Sequence, residues 1–212
     1  MKDDAETRAR VLQTAERLFG ERGFKMVTVR DICKAARANV AAVNYHFGSK
    51  MGLYRQVLQN AIDTMRETTE AAREAGKGRR PEEQLRRFIH VFLHRILRSG
   101  RLSIHRIITR EMNDPTPALD ALVDQGVRPR VEYLSGVIGQ ILGCPPRDPR
   151  VLRCVASVQA QAVAYFPNPI AARLGFLFEP TPAQVETAAR HIATFSIAGV
   201  RAIARSRNRA SA

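Results

Sequence analysis

The sequence predicts an all-α protein of about nine helices, with a short three-helix segment at the N-terminus and a larger helical domain after it. Apolar residues recur at helical spacing along nearly all of the 212 residues, and no stretch shows the alternation typical of strands. Glycines and prolines divide this pattern into segments. A chain of this length buries enough surface to fold without a disulfide or a metal ion.

The charge of the chain is strongly positive. Lys and Arg number 34 against 20 for Asp and Glu, which gives a net charge of +14. Such a charge is typical of proteins that bind a polyanion, either nucleic acid or an anionic membrane surface, although it also serves solubility alone. The excess is +5 over residues 1–56 and +9 over the remainder, so charge alone does not locate a binding surface.

Cysteine usage and apolar runs bear on the compartment. Cys33, Cys144 and Cys154 are widely spaced and include no CxxC pair, which argues against a disulfide framework or a zinc ribbon. The N-terminal MKDDAETRAR has no apolar stretch of the kind found in signal peptides. No run approaches the ~20 apolar residues that a membrane span needs. We therefore expect a soluble, cytoplasmic protein that does not associate with membranes.

The first two helices have identifiable ends. One apolar stripe over residues 5–22 predicts a helix that Gly23 ends. Thr28 then opens a second helix, and Asp31 lies three positions later, at the spacing of a capping box. The buried side of this second helix is expected to consist of Val29, Ile32, Cys33 and Ala36.

A third and a fourth helix follow after a short break at residues 37–38. Asn39 is a good N-cap for a third helix that runs to about Phe47. Gly48 ends that helix, and Ser49 is suited to cap a fourth helix over residues 50–75. The chain therefore opens with two short helices between two longer ones.

The remaining chain divides at a Gly-rich, basic break, GKGRRP at 76–81, which is its most strongly marked internal boundary. Further helices are predicted at about 82–98, 101–113, 117–142, 149–165 and 182–206. The predicted domains are 1–56, a helix-turn-helix domain, and 57–206, a helical domain for ligand binding and dimerisation. Residues 207–212 are polar and predicted to form a disordered tail.

Residues 28–47 have the form of a helix-turn-helix, two short helices joined by a tight turn and preceded by a bracing helix. The second helix must pack one side on its neighbours and place the other in the major groove of DNA. We expect Val40, Val43 and Phe47 to face inward. The outer surface would then carry Ala41, Ala42, Asn44, Tyr45 and His46. Periodicity alone does not distinguish this arrangement from an ordinary packed helix.

Each outward residue type suits a particular DNA contact. Ala41 or Ala42 fits against a thymine methyl group, and Asn44 is suited to pair bidentately with adenine. Tyr45, His46 and Lys50 carry donors suited to phosphates, and such contacts set the register of the protein on DNA. The candidate DNA-binding residues are Thr28, Arg30, Asn39, Val40, Ala41, Ala42, Asn44, Tyr45, His46 and Lys50.

The stretch from residue 8 to about 56 resembles the DNA-binding domain of the TetR family. That family's pattern is a helix ending in F-x-x-x-G-F/Y, then T-x-x-x-I, then a Tyr-His-Phe run followed by Lys. Here it is carried by Phe19, Gly23, Phe24, Thr28, Ile32, the run Tyr45-His46-Phe47, and Lys50. The resemblance implies a sequence-specific regulator that binds a palindromic operator in double-stranded DNA.

Two positions depart from the family pattern. Arg37 replaces the glycine usual in the turn, so a residue with a Cβ must take that position, at some cost if φ is positive. Asn44 stands where the family often has the first aromatic residue of a Tyr-Tyr-His-Phe run. This second departure indicates a different base preference.

Residues 109–143 and the run NVAAVNYHFGSK resemble the CecR-like branch of the same family. The resemblance implies that the last two long helices, about 149–165 and 182–206, pair with a second copy to form a homodimer. It also implies a repressor that an unidentified small-molecule inducer releases from DNA. The candidate ligand-binding residues are polar side chains set among apolar ones, with Phe88 and Phe92 as walls. The polar candidates are His105, Arg106, Arg110, Glu111, Gln159, Gln161 and Tyr165.

His90 and His94 lie four residues apart on one predicted helix, a spacing that suits metal binding. No third ligand is evident in the sequence, so an exposed helix face is the better interpretation, and we expect neither a metal nor another cofactor. The chain also lacks GxGxxG, P-loop, HExxH and GxSxG motifs, which argues against an enzyme. A non-specific architectural DNA-binding protein and a transcriptional activator remain as alternatives.

Overall fold

The computed structural model describes residues 2–98, 102–166, 169–175 and 178–210. Within these ranges the regular structure is helical and contains no strand, which confirms the all-α fold class. The helices are α1 (Lys2–Arg22), α2 (Val29–Ala36), α3 (Val40–Phe47), α4 (Lys50–Gly76), α5 (Pro81–Arg98), α6 (Leu102–Asn113), α7 (Leu119–Ala121), α8 (Arg128–Leu142), α9 (Pro149–Val163), α10 (Pro169–Arg173) and α11 (Pro182–Ala210).

Residues 1–64 and 101–126 form a first compact unit. Helix α1 packs against α2, α3 and α6, and the shared core is rich in aromatic side chains. The rings of Phe19 and Phe24 lie 5.0 and 4.8 Å from the ring of Tyr54. Helices of eight residues such as α2 and α3 are not stable in isolation, so this buried cluster holds them in place.

Residues 65–100 and 127–212 form a second compact unit. Its centre is α5, which packs against α8 and α11, while α9 packs against α8 and α11. The facing sides of these helices are apolar and buried. They include Leu85, Ile89, Leu93, Leu134, Ile138, Val151, Val155, Val185, Ala189 and Ile192.

The two units divide the chain differently from the boundary predicted after residue 56. Residues 101–126 belong to the first unit, and the break at 76–81 lies inside the second, where it joins α4 to α5. The division within the earlier part falls inside α4, between Thr64 and Met65. The function assigned to each stretch stays a prediction.

The single helix predicted over 117–142 is interrupted. Leu122–Val127 forms a π-helical turn between α7 and α8. Pro129 at the start of α8 explains the interruption, because proline lacks an N–H and its ring clashes with the carbonyl four residues earlier. A wider turn before Pro129 accommodates both effects.

Two other boundaries differ from the prediction. The short helix α10 lies between the helices predicted at about 149–165 and 182–206, where the sequence predicts no helix. Helix α11 continues to Ala210 because no helix-breaking residue follows Pro182 apart from Gly199, so it extends into the stretch predicted as a disordered tail. Residues 211 and 212 of that tail lie outside the described residues. Among the described residues, no helix is both long and apolar enough to cross a membrane.

Candidate nucleic-acid interface

The start of α2 is fixed by the capping box that the sequence predicts. The hydroxyl of Thr28 accepts a hydrogen bond from the backbone N–H of Asp31 at 3.1 Å. The Asp31 carboxylate in turn accepts from the backbone N–H and the hydroxyl of Thr28, at 2.9 and 2.6 Å. These hydrogen bonds lower the pKa of Asp31. The cap therefore sets where α2 begins and keeps a negative charge at its N-terminus.

The turn between α2 and α3 is left-handed at Arg37, with φ 51° and ψ 48°. The positive φ predicted from the missing glycine is therefore confirmed. The backbone N–H of Ala38 donates to the carbonyl of Cys33 at 3.0 Å, which ends α2. For a residue with a Cβ this conformation costs about 1–2 kcal/mol.

Helix α3 begins and ends at local caps. The side chain of Asn39 accepts a hydrogen bond from the N–H of Ala41 at 3.0 Å. Gly48, with φ 71°, donates its N–H to the carbonyl of Asn44. Ser49 caps α4 by accepting from the N–H of Gly52 at 3.0 Å. All three caps agree with the prediction, and they fix α3 at eight residues.

The inward face of α3 differs from the predicted one. Val43 is buried, Phe47 packs on the core, and the imidazole of His46 is turned inward, with its side chain 8% exposed. The Nε2 atom of His46 lies 3.1 Å from a carboxylate oxygen of Asp4 on α1. The expectation that His46 lies on the outer surface is therefore wrong. Its role as a phosphate contact stays a prediction, and it would require the ring to leave Asp4.

Val40 is 40% exposed, so the expectation that it faces inward is wrong as well. With Val43, His46 and Phe47 on the inward side, the helical repeat of 3.6 residues turns Val40 to the edge of that face. This leaves one more apolar side chain next to the surface that is predicted to enter the groove.

The outward side of α3 carries three exposed residues, Ala41, Asn44 and Tyr45, while Ala42 is partly buried. Tyr45 is 79% exposed, and its ring packs edge-on against the ring of His46 at 5.0 Å. A tyrosine this exposed contributes little to the core, but its hydroxyl is available to a partner. The small side chains beside it allow close approach of another molecule to the backbone.

Exposed polar residues also lie along α2 and the turn. Thr28, Arg30 and Asn39, all predicted DNA contacts, are exposed in the same unit as α3. Lys34 and Arg37 are exposed too, and neither makes a salt bridge with the described residues. The sequence prediction left these two cations out. The sequence does contain an indication for Arg37: no acidic residue lies three or four positions away, so no local ion pair is available to its guanidinium.

Lys50 is held at the first turn of α4. Its Nζ atom lies 4.3 Å from the centre of the Phe24 ring, a cation–π contact. Burial lowers the pKa of Lys50. The contact with Phe24 restricts the long side chain, so less conformational entropy is lost when the ammonium group contacts a phosphate.

Two arginines of α1 brace these helices from behind. Arg10 donates from Nε to the carbonyl of Ala36 at 2.7 Å, at the end of α2. The guanidinium of Arg8 lies 5.4 Å from the ring centre of Phe47 at the end of α3. These positive charges are therefore used inside the unit, whereas those of Arg30, Lys34 and Arg37 face solvent.

The same helices match a known family. Residues 11–57 match the model described as bacterial regulatory proteins of the tetR family. Residues 81–200, more than half of the chain, match the model of the C-terminal domain of the HTH-type transcriptional dual regulator CecR. The chain belongs to the TetR family. It is a DNA-binding transcriptional regulator, and its C-terminal part is of the CecR type.

Relatives and solved structures of TetR-family regulators agree with this assignment. The chain is 25% identical over 169 residues to the dual regulator CecR of Shigella flexneri, which covers 76% of this chain and 75% of that protein. The ketosteroid regulator KstR2 of Mycobacterium tuberculosis superposes with a TM-score of 0.68 at 18% identity, covering 91% of this chain and 93% of that one. The regulator PfmR of Thermus thermophilus gives 0.66 at 21% identity, with 89% and 97% covered. These structures show the shared fold.

TetR-family regulators bind operator DNA and small-molecule ligands as dimers. The candidate ligand residues of this TetR-family chain fall into two groups. His105, Arg106 and Arg110 lie on α6 in the first unit, where Arg110 donates to the carbonyl of Glu21 at 2.9 Å. Phe88, Phe92, Gln159 and Tyr165 lie in the second unit. The structure therefore places the predicted set in two units, and its role stays a prediction.

The second group includes two aromatic contacts. Phe88 and Phe92 stack with their ring centres 5.7 Å apart on α5. Tyr165 packs edge-on against Phe178 at 5.1 Å, and Gln159 is partly buried on α9. Next to Phe92 lies a residue that sequence reasoning missed, Arg130 of α8, with its guanidinium 5.4 Å from the Phe92 ring centre.

Arg130 is a charged residue in a largely buried position. Burial lowers its pKa to about 10, and its Nε atom is buried without a hydrogen-bond partner among the described residues. The hydroxyl of Tyr133, one turn along α8, is also buried and unpartnered within the described part of the chain. Buried polar groups without a partner cost about 1–3 kcal/mol each, so native proteins keep few of them. No signal in the sequence marks Arg130, because VRPRVEYL is equally typical of a surface helix.

Proposed function

We propose that this TetR-family chain is a homodimeric repressor that binds a palindromic operator and is released by a small-molecule inducer. The observation that carries the proposal is helix α3. Caps at Asn39 and Gly48 fix its ends, Val43 and Phe47 anchor it, and Ala41, Asn44 and Tyr45 are left for a partner. The major groove of DNA is wide enough to admit a short helix whose outward side chains are small or polar.

The proposal assigns separate roles to the exposed residues. Asn44 would distinguish an adenine, and Ala41 would pack against a thymine methyl group. Tyr45, Lys50, Arg30 and Thr28 would contact phosphates and set the register of α3 in the groove. We add Lys34 and Arg37 to the phosphate contacts, because both are exposed cations without a salt bridge in the described part of the chain.

The exposed apolar side chains of α9 and α11 support the proposed dimer. Three valines of α9, Val151, Val155 and Val158, are buried within the chain and are unavailable to a partner. Leu152 and Val163 remain exposed on α9, and Phe195, 64% exposed, and Ile203 remain exposed on α11.

Small residues separate the two exposed side chains of α11. Ala198, Gly199 and Ala202 are exposed between Phe195 and Ile203, and such residues let two helix backbones approach closely. A second copy that covered this face would bury two large apolar groups per chain. This is the face through which we propose that two subunits pair.

The environment of Arg130 supports an acidic inducer. A carboxylate, sulfonate or phosphate would supply a partner for the buried Nε atom of Arg130, and the rest of the ligand would lie against Phe92. The guanidinium of Arg73 lies 5.0 Å from the ring centre of Tyr133, so a second cation belongs to the same region. An acid bound there would offset the cost of leaving the Arg130 Nε atom and the Tyr133 hydroxyl without hydrogen bonds.

Release requires only that the inducer favours a conformation that misfits the operator. The two DNA-binding domains of a dimer must meet half-sites about 34–36 Å apart, so a change in their spacing weakens binding. An inducer whose affinity differs between the two conformations by a few kcal/mol suffices. Membership of the TetR family supports the proposal of such a regulator.

The DNA-binding part is tested by fluorescence anisotropy on the region upstream of the chain's own gene, against random DNA of equal length, at two salt concentrations. We expect strong preference for the upstream fragment and its loss in Tyr45→Ala combined with Lys50→Ala. Arg147→Ala, which removes an exposed positive charge from the second unit, is the matched control and should bind normally. Equal, steeply salt-dependent binding to both fragments would indicate an architectural protein instead.

The dimer and the inducer need separate measurements. Sedimentation equilibrium should give a dimer that Phe195→Asp shifts to monomer, while Ile170→Asp, at another exposed apolar position, leaves it intact. In thermal unfolding, 2-naphthoate should raise the melting temperature more than its uncharged amide, and Arg130→Met should remove the difference. An equal effect of acid and amide would contradict an acidic inducer.

A further inference from the structure

Three side chains with metal-ligating atoms converge in the second unit. His90 and His94, on successive turns of α5, stack with ring planes 13° apart. The Nδ1 atom of His90 lies 3.3 Å and the Nε2 atom of His94 lies 3.2 Å from the same carboxylate oxygen of Glu186 on α11. Glu186 is the third ligand that the sequence did not reveal, because it lies 92 positions away from His94.

The spacing of these atoms fits a tetrahedral metal ion. Ligands at about 2.0–2.1 Å from a tetrahedral zinc ion lie about 3.4 Å from one another. The two nitrogen-to-oxygen distances, 3.3 and 3.2 Å, already match this ligand-to-ligand distance. All three ligand atoms lie within 4.8 Å of one another, so a modest rotation of the two imidazole rings brings their nitrogen atoms to the same distance.

The surroundings leave a coordination position open. All three side chains are partly exposed, and a groove of about 340 Å³ beside them is lined by Glu83, Arg86, Arg87, His90, Glu186 and Arg190. The positive charge of this groove is partly neutralised, because Glu83 pairs with Arg86 at 3.3 Å and with Arg87 at 2.9 Å. Two imidazoles, one carboxylate and an accessible fourth position form the ligand set of open zinc sites.

We propose that His90, His94 and Glu186 form a binding site for a divalent transition metal ion, such as Zn²⁺, which links α5 to α11. The site goes beyond the proposed function, since neither DNA binding nor an acidic inducer requires it. An ion bound there would replace the two histidine–glutamate contacts by bonds to a common centre. It would thereby stabilise the packing of α11, a helix through which we propose that the subunits pair.

The test uses the whole protein after EDTA has removed bound metal and dialysis has removed the EDTA. Titration with Co²⁺ should produce the visible d–d absorption of a site with nitrogen and oxygen ligands, saturating at one ion per chain, and Zn²⁺ should displace it. Isothermal titration with Zn²⁺ should show affinity reduced more than about tenfold in His94→Ala and Glu186→Gln. His191→Ala removes an exposed imidazole from α11 and should leave the affinity unchanged.

Thermal unfolding gives a second readout, which begins with the unmodified protein. Zn²⁺ should raise the melting temperature of the unmodified protein and of His191→Ala, and should have no such effect on His94→Gln. Equal Zn²⁺ binding by the unmodified protein and His94→Ala would overturn the proposal. So would thiolate-to-cobalt charge-transfer absorption that Cys144→Ser abolishes, since the ion would then be held by cysteine.

Discussion

The hydroxyl of Tyr54 on α4 donates a hydrogen bond to Oε2 of Glu111 on α6 at 2.5 Å, and both side chains are buried in the first unit. The other oxygen of Glu111 accepts from the backbone N–H and the hydroxyl of Thr116, each at 2.8 Å. Three donors therefore satisfy a carboxylate that has no access to solvent. Burial and the bond to Glu111 raise the pKa of Tyr54, so its hydroxyl stays a donor at any physiological pH.

Replacement of Tyr54 by Phe should destabilise the protein. The change leaves the aromatic packing intact but deprives the buried Glu111 carboxylate of one donor, which costs about 1–3 kcal/mol. Urea unfolding followed by circular dichroism measures the difference. Tyr45→Phe removes a hydroxyl from an exposed ring and is the matched control, for which we expect no change. Equal stability of the two variants would show that the bond to Glu111 contributes nothing.

The stability of the turn can be raised at Arg37. Arg37→Gly should stabilise the protein by about 0.5–1 kcal/mol, because glycine adopts the left-handed conformation without steric cost, partly offset by its greater freedom when unfolded. Arg37→Asn should fall between the two, since asparagine tolerates this conformation better than arginine.

The same two variants separate folding from DNA binding. If Arg37 contacts a phosphate, both should weaken binding to every DNA sequence equally and reduce the slope of log affinity against log salt by about 1. Anisotropy titrations over a salt series measure this slope. A slope that does not change in either variant would leave Arg37 with a role in the turn alone.

The helix-turn-helix was predictable from local sequence because its caps are local. Thr28 with Asp31, Asn39 and Gly48 each fix a helix end through partners at most four residues away. Even the positive φ of Arg37 follows from the position that glycine usually takes in this turn. Where one residue type has one conformational role, the sequence is enough to assign it.

The parts that were missed depend on contacts distant in sequence. The inward turn of His46 is set by Asp4, and the third metal ligand, Glu186, comes from another helix. Burial of Arg130 depends on the packing of α8 against α5, which periodicity does not give. The π-helical turn before Pro129 went unpredicted because the apolar pattern of an α-helix continues across it. Only the backbone hydrogen bonding changes there, from the α-helical to the π-helical pattern.

Base recognition by Asn44 makes a prediction about specificity. Asn44→Ala should reduce the preference for adenine at one position of each half-site by about 1–3 kcal/mol, because the bidentate pair is lost. Its salt dependence should not change, since no charge is removed. Binding to a set of single-base operator variants measures the preference, and a uniform loss at all positions would contradict the assignment.

Arg30→Ala provides the converse case. Arg30 is exposed on α2, and its removal should weaken binding to all operator variants by a similar factor while lowering the salt slope by about 1. The ranking of the single-base variants should stay as in the unmodified protein. A changed ranking would show that Arg30 contacts a base edge.

The capping box of α2 predicts a pH dependence. The hydrogen bonds from Thr28 hold the pKa of Asp31 below its usual 3.8, so the ionised form stabilises the folded state. This stabilisation is complete above 3.8 and is lost as the pH falls through the lower pKa of the folded protein. Thr28→Ala should raise the pKa of Asp31 toward its ordinary value, because only the backbone hydrogen bond and the nearby cations remain to lower it, whereas Thr28→Ser should keep it low.

Nuclear magnetic resonance titration of the Asp31 carboxyl carbon measures that pKa directly in all three proteins. The unmodified protein and Thr28→Ser should titrate together, below Thr28→Ala. Identical titration of the serine and alanine variants would show that the hydroxyl at position 28 does not hold the charge.

Helix α3 divides its residues into two sets that do not overlap. Val43, His46 and Phe47 determine how it packs, whereas Ala41, Asn44 and Tyr45 are exposed and contribute little to the core. Substitutions in the second set should therefore change the free energy of unfolding very little. After a gene duplication, the two copies can acquire different target promoters one mutation at a time, and every intermediate along the way still folds.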